Sequence, residues 1–309
     1  MTLQSINVKG GHPMHLVRYQ LPGQRPQAGV LSGDTVAPVA GVTGMAELLR
    51  LTADELRTAV GKTGDEVAVA DVKLLPPLDG LGEVWCAGVT YERSRGARME
   101  ESTEQSVYDR VYSAPRPELF PKSPAWRLVT DGEAIGIRHD SGHDVPEPEL
   151  AVVANSRGEI VGFTICNDVS SRSIEGENPL YIPQAKVFAG GCALATGIRP
   201  AWEIADPKNL TIDLVIRRDG AEVFTGTTST KQLVRELQDL VDVLFVPNEF
   251  PDGVILATGT GIVPELDFAL RAGDVVEISI SEVGTLTNTV AVGREPFAYL
   301  AAQTLEETR

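Results

Sequence analysis

Alternating hydrophobic and polar residues run through much of the second half of the chain, in the period-two pattern of half-buried β-strands. The segments ELAVV and IVGFTICND flank the turn-rich ANSRGE, which predicts a hairpin over residues 149–168. The stretch LTIDLVIRRDGAEVFTGTTS predicts two strands joined by an Asp-Gly turn. Two later stretches, DGVILATGTGIV and GDVVEISISEVGTLTNTVAV, predict the C-terminal strands.

Helical periodicity is confined to fewer segments. STKQLVRELQDLVDVLF carries its apolar residues on one face and predicts a helix over residues 229–245. Near the N-terminus, MAELLRLTADELRTAVGK predicts two short helices, with Thr52 as the N-cap of the second and Gly61 at its end. The apolar stripe of the first segment consists of Leu233, Leu237, Leu240, Val241 and Leu244.

The Pro- and Gly-rich stretch LLPPLDGLGEV predicts a joint between two domains. We expect a small N-terminal α/β domain over residues 1–78, which includes the strands of HLVRYQL and AGVLSGDTVAPVA, and a larger domain over residues 79–309. Because the strands do not alternate with helices, a doubly wound sheet is excluded. The predicted fold class is α+β with a dominant antiparallel or mixed sheet.

A long polar segment, ERSRGARMEESTEQSVYDRVYSAPRPE, follows the buried strand predicted for VWCAGVTY. Val107, Tyr108, Val111 and Tyr112 give its middle a helical pattern. Two interpretations stay open at this point: a lid over a nearby site, or a plain surface helix.

Charge and composition exclude several classes of protein. The chain has 309 residues and a net charge of −16, which disfavours binding to nucleic acids and to anionic membranes. Its apolar runs fall well short of the ~18 residues that cross a bilayer. The N-terminus lacks a basic stretch followed by an apolar one, so we expect no secretory signal and a cytoplasmic protein.

The three cysteines, Cys86, Cys166 and Cys192, lie in apolar contexts without C-x-x-C spacing, which is typical of buried free thiols. The four histidines are too few and too scattered for a confident zinc site built on histidine.

The stretch VPEPELAVV places Glu147 and Glu149 on alternate residues of a strand, and therefore on one face. Two adjacent carboxylates repel each other, which raises one pKa unless something compensates for the charge. Water, a basic partner or a metal ion could compensate. Acidic residues at a strand start are often only solvated, so the spacing alone is a weak signal.

The predicted hairpin brings a third carboxylate to this face. If Ala154 lies opposite Glu159, Glu147 lies opposite Cys166, and Asp168 follows on the same face. A register one residue away would turn Asp168 to the other face. Three hard oxygen donors without thiolate spacing suit Mg²⁺ or Mn²⁺, with positions left for water or substrate.

Polar residues near these carboxylates extend the candidate site. Ser170 and Arg172 follow Asp168, and we expect both to bind a substrate, since guanidinium groups bind carboxylates well. Lys186 follows a Pro-containing loop and could transfer protons beside a metal. Thr260 lies in the glycine-rich TGTG, where backbone N–H groups can approach an anion.

Seven ordered motifs resemble the fumarylacetoacetate hydrolase superfamily over roughly residues 80–295. The resemblance implies a mixed β-roll with a small N-terminal domain, in a homodimer or homotetramer. It also implies that Glu147, Glu149 and Asp168 bind Mg²⁺, that Lys186 lies beside the metal, and that Thr260 contacts the substrate carboxylate. The motifs are GVTY (88–91), PELFPK (117–122), EPE (147–149), DVSSR (168–172), Lys186, TGTG (258–261) and GDVVEISISEVGTLTN (273–288).

Three segments, TYERSRGARMEES, VYDRVYSAPRPELF and SSRSIEGENPLYIPQAK, resemble the branch of the superfamily that acts on sugar acids. This resemblance implies dehydration of a 2-keto-3-deoxy-pentonate to 2-oxoglutarate semialdehyde, a reaction in which the substrate is a small 2-keto acid. It also implies that Glu118 and Lys186 are the catalytic residues and share the acid and base roles.

Three positions depart from the pattern of the hydrolase and decarboxylase members. Ser94 and Ala97 occupy the positions of the His and Glu that activate water there, and Thr90 replaces an Asn. Hydrolysis by that route is therefore disfavoured. The alternatives are a C–C bond hydrolase or decarboxylase acting on an acylpyruvate or a diketo sugar acid, and a non-catalytic binding protein that keeps the fold.

Overall fold

The structure is a computed structural model that describes residues 12–101 and 110–307. The strands are β1 (Met14–Gln20), β2 (Gln27–Ser32), β3 (Thr35–Pro38), β4 (Val67–Ala68), β5 (Lys73–Leu75), β6 (Glu83–Gly88), β7 (Glu118–Pro124), β8 (Val129–Thr130), β9 (Ala134–Ile137), β10 (Asp144–Val145), β11 (Pro148–Ala154), β12 (Ile160–Asp168), β13 (Ser170–Ser171), β14 (Cys192–Leu194), β15 (Gly197–Pro200), β16 (Thr211–Arg218), β17 (Ala221–Ser229), β18 (Val254–Ala257), β19 (Val275–Ile280) and β20 (Gly284–Val292). The α-helices are α1 (Met45–Leu49), α2 (Ala53–Val60), α3 (Glu92–Glu101), α4 (Arg172–Glu177), α5 (Ile182–Lys186), α6 (Leu237–Phe245) and α7 (Ala298–Glu307).

Most strands belong to one large mixed sheet with the order β4-β3-β2-β1-β15-β12-β11-β18-β6-β7. Strand β11 pairs antiparallel with both of its neighbours, whereas β18 and β6 are parallel. A second sheet has the order β17-β16-β19-β20-β9. The α+β class and the mixed sheet predicted from the sequence are confirmed.

Strand β11 is buried on both faces and separates two hydrophobic cores. Leu150 and Val152 pack into the core that includes strands of the second sheet and helix α6. Ala151 and Val153 pack into the other core, which includes α1 and α2. Because side chains alternate along a strand, Glu149 lies on the same face as Ala151 and Val153. The carboxylates therefore lie at the end of this second core.

The predicted Asp-Gly turn is present, and a second tight turn joins β2 and β3. Gly33 has a φ of 61° between β2 and β3. Asp219 and Gly220, between β16 and β17, have φ values of 51° and 82°. Positive φ at both central residues is the geometry of the type I′ turn, whose twist matches that of the flanking strands.

The second predicted short helix begins as expected. Thr52 and Glu55 form a capping box at the start of α2, and Gly61 is its C-cap. Helix α1 is capped differently, because Gly44 at its N-cap has no side chain. Asp79 caps it from the linker, since its carboxylate accepts the N–H groups of Met45 at 3.2 Å and Ala46 at 2.6 Å.

The helix predicted over residues 229–245 is shorter than expected, because its first part is not helical. Helix α6 begins only at Leu237, and Leu233 is buried before it. The residues between are held by tertiary contacts, because the Val234 N–H donates to Thr90 O and Arg235 donates to the carbonyl of Val111. These contacts replace the helical hydrogen bonds that the apolar period predicts.

The predicted register of the β11–β12 hairpin is wrong by two residues. Glu149 lies opposite Cys166, not opposite Thr164, because Ala154 pairs with Ile160 rather than Glu159 and a bulge between Val153 and Ala154 shifts the pairing by one more residue. A shift of two residues keeps every side chain on its face. The predicted grouping of the carboxylates on one face therefore holds.

The polar segment after β6 is described in part. Helix α3 covers its start, whereas Val107 and Tyr108 of the predicted helical middle lie outside the described residues. The guanidinium of Arg95 lies 4.8 Å from the ring centre of Tyr112. Within the described part of the chain, no helix is long and apolar enough to cross a membrane. The domain boundary at Leu78 stays a prediction.

Substitution Thr52→Ala tests the capping box of α2. We expect a loss of about 1 kcal/mol in the free energy of unfolding, because the Glu55 N–H loses its acceptor. Chemical denaturation measures this loss. The matched control is Thr58→Ala in the same helix, where the hydroxyl donates only to the carbonyl of Asp54. Equal losses in the two variants would contradict the capping role.

Candidate active site

Glu147, Glu149 and Asp168 converge at one end of the β11–β12 hairpin. One carboxylate oxygen from each lies within 4.8 Å of the others. The Asp168 N–H donates to Glu147 O at 3.0 Å, which fixes the two chain segments together. All three residues are at most 3% exposed. Their role as metal ligands stays a prediction, but their convergence is a feature of the structure.

Lys186 lies among these carboxylates, at the C-terminal end of α5. Its Nζ donates to Glu147 Oε2 at 2.6 Å, Asp168 Oδ2 at 3.0 Å and Ser170 Oγ at 2.6 Å. The lysine is 1% exposed, so water screens these contacts little. The structure thus brings the predicted Lys186 and Ser170 to the carboxylates, and the lysine compensates for part of their charge.

Arg172 binds the carboxylate oxygen of Glu147 that Lys186 does not bind. Its Nη2 donates to Glu147 Oε1 at 2.7 Å, and its Nη1 lies 3.6 Å from Glu175 Oε2. The arginine is 2% exposed, and its backbone N–H donates to His143 O. The guanidinium therefore orients a carboxylate of the protein, and its predicted contact with substrate stays a prediction.

Lys122 on β7 is a site residue for which the sequence predicted no role. Its Nζ lies 2.5 Å from Asp168 Oδ1 and donates to the carbonyl oxygens of Val169 and Lys186. The signal was present, because Glu118, Phe120 and Lys122 alternate within PELFPK. Alternation does not say which face is buried, so the lysine could equally have been solvated.

Glu149 depends on a backbone donor, the Gly259 N–H, at 2.6 Å from its Oε2. Burial raises the pKa of Glu149 well above its usual value, and the charges of Asp168 and Glu147 raise it further. Gly259 has a φ of 92°, and a Cβ there would lie 2.0 Å from Thr90 Oγ1. A glycine is needed at this position for the close approach.

The glycine-rich TGTG loop is fixed by its threonines. Thr258 Oγ1 donates to Leu150 O at 2.8 Å, and Thr90 Oγ1 donates to Thr258 O at 2.6 Å. Thr90 thus holds this loop where the resemblance had an Asn. Thr260 lines the small cavity in front of the carboxylates, and its Oγ1 donates to Ile262 O.

Glu118 lies at the edge of the same cavity. It is half-buried on β7, directly opposite Gly88 on β6. A Cβ on Gly88 would lie 1.9 Å from Glu118 Oε2, so the carboxylate lies against this glycine. Gly88 and Lys186 both line the cavity. Lys186 thus lines the cavity, and Glu118 lies against a residue of its wall.

The chain turns sharply where the cavity begins. Val89 has a φ of 53°, which is strained for a β-branched residue, and it lines the cavity with Ser94. Strain of this kind is found where the surrounding structure holds a site in place. Ser94 Oγ donates to Tyr91 O at 2.8 Å. The side chain of Ala97 lies outside the described residues.

The three thiols lie beneath the carboxylates as free, buried side chains, as predicted. Burial and the negative charges of Asp168 and Glu149 raise the pKa of Cys86 well above its usual value. The pKa of Cys166 is also raised, by its contact with Cys192 and by burial. Both shifts disfavour the reactive thiolate form of Cys86 and Cys166.

The donor set fits a hard divalent cation. Three buried carboxylates supply oxygen ligands, which Mg²⁺ and Mn²⁺ prefer, and two lysines and an arginine surround them. Thiols and imidazoles do not belong to the cluster.

Sequence comparison places this site in a known family. Residues 83–291 match the fumarylacetoacetate (FAA) hydrolase C-terminal profile, and residues 14–77 match the profile described as Rv2993c-like, N-terminal. The chain belongs to the fumarylacetoacetate hydrolase family. It is 44% identical over 248 residues to a probable 2-keto-3-deoxyxylonate dehydratase of Haloferax volcanii, covering 80% of this chain and 85% of the relative.

Two further relatives of this family are similar to the chain. The 2-dehydro-3-deoxy-D-arabinonate dehydratase of Saccharolobus solfataricus is 44% identical over 231 residues, which cover 74% of this chain and 77% of the relative. A solved 2-keto-3-deoxy-D-arabinonate dehydratase, complexed with magnesium and 2,5-dioxopentanoate, aligns with a TM-score of 0.78 and 36% identity. That alignment covers 91% of this chain and 99% of the solved one, so the predicted mixed β-roll of this family is confirmed.

Substitution Glu149→Gln tests the electrostatics of the metal-free site. In the unfolded state Glu149 releases its proton as pH rises through 4.5, the ordinary pKa of glutamate. The folded state keeps that proton to a higher pH. Unfolding therefore becomes more favourable with rising pH, and the variant escapes this loss. Thermal unfolding of chelator-stripped protein between about pH 5 and about pH 8 measures the difference.

The control for this experiment is Glu55→Gln. Capping contacts lower the pKa of Glu55 in the folded protein. Its contribution to folding stability is therefore complete above pH 4.5, the ordinary pKa of glutamate, and is lost as pH falls through the lowered pKa. We expect the stability of Glu149→Gln relative to the parent to increase with pH, unlike that of the control. Parallel curves for Glu149→Gln and the parent protein would contradict the raised pKa.

Proposed function

We propose that this protein is a Mg²⁺-dependent dehydratase that converts a 2-keto-3-deoxy-pentonate to 2-oxoglutarate semialdehyde. The observation that carries the proposal is the contact of Lys186 with two of three buried carboxylates, beside a cavity whose wall residue Gly88 lies against Glu118. The names of the relatives that are 44% identical support the same reaction class.

Glu147, Glu149 and Asp168 would hold the metal ion, with Mn²⁺ as a substitute. When bound there, the ion supplies Lewis-acid stabilisation of the negative charge that develops on the 2-keto oxygen. Arg172 and Lys122 would keep Glu147 and Asp168 in place. The backbone N–H of Thr260 would meet the carboxylate of the substrate at the cavity wall, because its hydroxyl already donates to Ile262 O.

Glu118 and Lys186 would share the proton transfers. One takes a proton from C3, and the other protonates the C4 hydroxyl, which leaves as water. A proton then moves from C5 to C3, which gives an enol with a C4–C5 double bond. Transfer of the enol O–H proton to C4 gives the aldehyde, which has the composition of the substrate minus one water. No oxidant or reductant is required.

The absence of the water-activating pair supports elimination over hydrolysis. Ser94 occupies the position of the hydrolase histidine and donates to the carbonyl of Tyr91. A serine hydroxyl committed to the backbone is a poor general base compared with imidazole. A cytoplasmic location and assembly as a homodimer or homotetramer remain predictions.

Product formation from the two enantiomers of 2-keto-3-deoxy-pentonate, which differ at C4, tests the proposal. Chelator-treated protein should be inactive, and added Mg²⁺ should restore formation of the semialdehyde, followed with a coupled aldehyde dehydrogenase. Preference for one enantiomer would identify the D or L series of the parent sugar acid. If Mg²⁺ binds by calorimetry but neither enantiomer reacts, the dehydratase assignment is wrong, and acylpyruvates and diketo sugar acids become the substrates to assay.

Substitutions Lys186→Met and Glu147→Gln separate metal binding from proton transfer. Lys186→Met should reduce turnover at least about 100-fold, the contribution of a positioned proton-transfer group, while Mg²⁺ still binds. Glu147→Gln should lose both Mg²⁺ affinity and turnover. Calorimetry and the coupled assay measure the two quantities.

The matched control for this pair is Lys208→Met, which removes an exposed lysine paired with Glu236 and should change neither quantity. Full Mg²⁺ affinity and turnover in Glu147→Gln would overturn the metal assignment.

A further inference from the structure

A second cleft lies in the N-terminal part of the chain. Its volume is about 850 Å³, which falls within the ~300–1,000 Å³ range of small-molecule sites. Strands β1 and β5, the loop between β1 and β2, and the linker residue Asp79 form its walls. Among the described residues, this cleft shares no lining residue with the cavity at the carboxylates. The proposed dehydratase reaction therefore does not account for it.

The charge of this cleft is opposite to that of the whole protein. The chain has 43 acidic and 27 basic residues, yet Arg18, Arg25 and Lys73 line the cleft together with a single acid, Asp79. Glu133 lies behind Lys73, with its Oε1 3.9 Å from the lysine Nζ. At that distance and exposure the pair attracts weakly. The local excess of positive charge is retained.

The one acid in the lining is already engaged. Asp79 accepts hydrogen bonds from the backbone N–H groups of Met45 and Ala46, and its Oδ2 lies 3.4 Å from Arg18 Nε. Its charge is thus shared between the start of α1 and the arginine. The side chain of Arg18 is only 11% exposed, so the cleft holds a fixed guanidinium at its base.

The other cations are placed around this base. Lys73 and Arg25 are exposed, on β5 and on the loop after β1, and the amide side chains of Gln24 and Gln27 lie between these elements. Cations on three separate elements can contact one ligand together when that ligand presents several anionic oxygens. The amides supply hydrogen bonds to its remaining oxygens.

We propose that this cleft binds a small polyanion with carboxylate or phosphate groups, at a site separate from the carboxylate cavity. Arg18 binds one anionic group from below in the fork geometry that suits carboxylates and phosphates. Arg25 and Lys73 bind the others from the rim. The attraction depends on ionic strength, because both rim cations are exposed.

Calorimetric titration of the full-length, Mg²⁺-loaded protein tests this site. The two probes are tricarballylate, which presents carboxylates, and inorganic phosphate, each with Mg²⁺ in excess. We expect at least one probe to bind, and its Kd to rise about tenfold in Arg25→Gln and in Lys73→Gln, since each variant loses one charge-assisted hydrogen bond. The probe that binds more tightly identifies the anionic group.

Lys62→Gln is the matched control, because it removes an exposed positive charge from the same part of the chain outside the cleft. Its Kd should equal that of the parent protein. The proposal is overturned if neither probe binds, or if the cleft variants bind as tightly as the control. It is also overturned if Arg25→Gln and Lys73→Gln dissociate an oligomer by sedimentation, since the cleft would then be an interface between copies.

Discussion

The Lys186 ammonium group between Glu147 and Asp168 is the contact on which the site depends. Three buried carboxylates within 4.8 Å would repel one another strongly without positive charge beside them. Removing one partner of a buried ion pair typically costs about 3–5 kcal/mol, because a desolvated charge is left alone. Between Asp168 and Lys186 the chain forms strand β13 and helices α4 and α5. This excursion ends with Lys186 beside the end of β12, the strand that carries Asp168.

Two structural requirements meet in β11. Its alternate residues fill two different hydrophobic cores, and the same alternation places Glu149 on the face of the second core. The carboxylates therefore lie beside apolar packing and buried thiols, where the effective dielectric constant is low. This environment raises the pKa of Glu149 and strengthens its attraction to any cation that enters.

The sequence predicts the features that follow from local periodicity. The alternation of Glu147 and Glu149 needed only the period of a strand, and the grouping with Asp168 survived an error of two in the register. Lys122 could not be assigned, because its position depends on how β7 lies across the sheet. The start of α6 was missed for the same reason, since distant contacts to Val234 and Arg235 replace helical hydrogen bonds.

The cap on α1 has a consequence for how the protein folds. Asp79, which satisfies the first N–H groups of that helix, belongs to the linker. Asp252, at the turn before β18, accepts from Arg50 at the end of the same helix and from the linker residue Leu81. The Pro- and Gly-rich joint in the sequence is therefore not a hinge. Its hydrogen bonds to α1 and to Asp252 couple the order of the linker to the order of both of these elements.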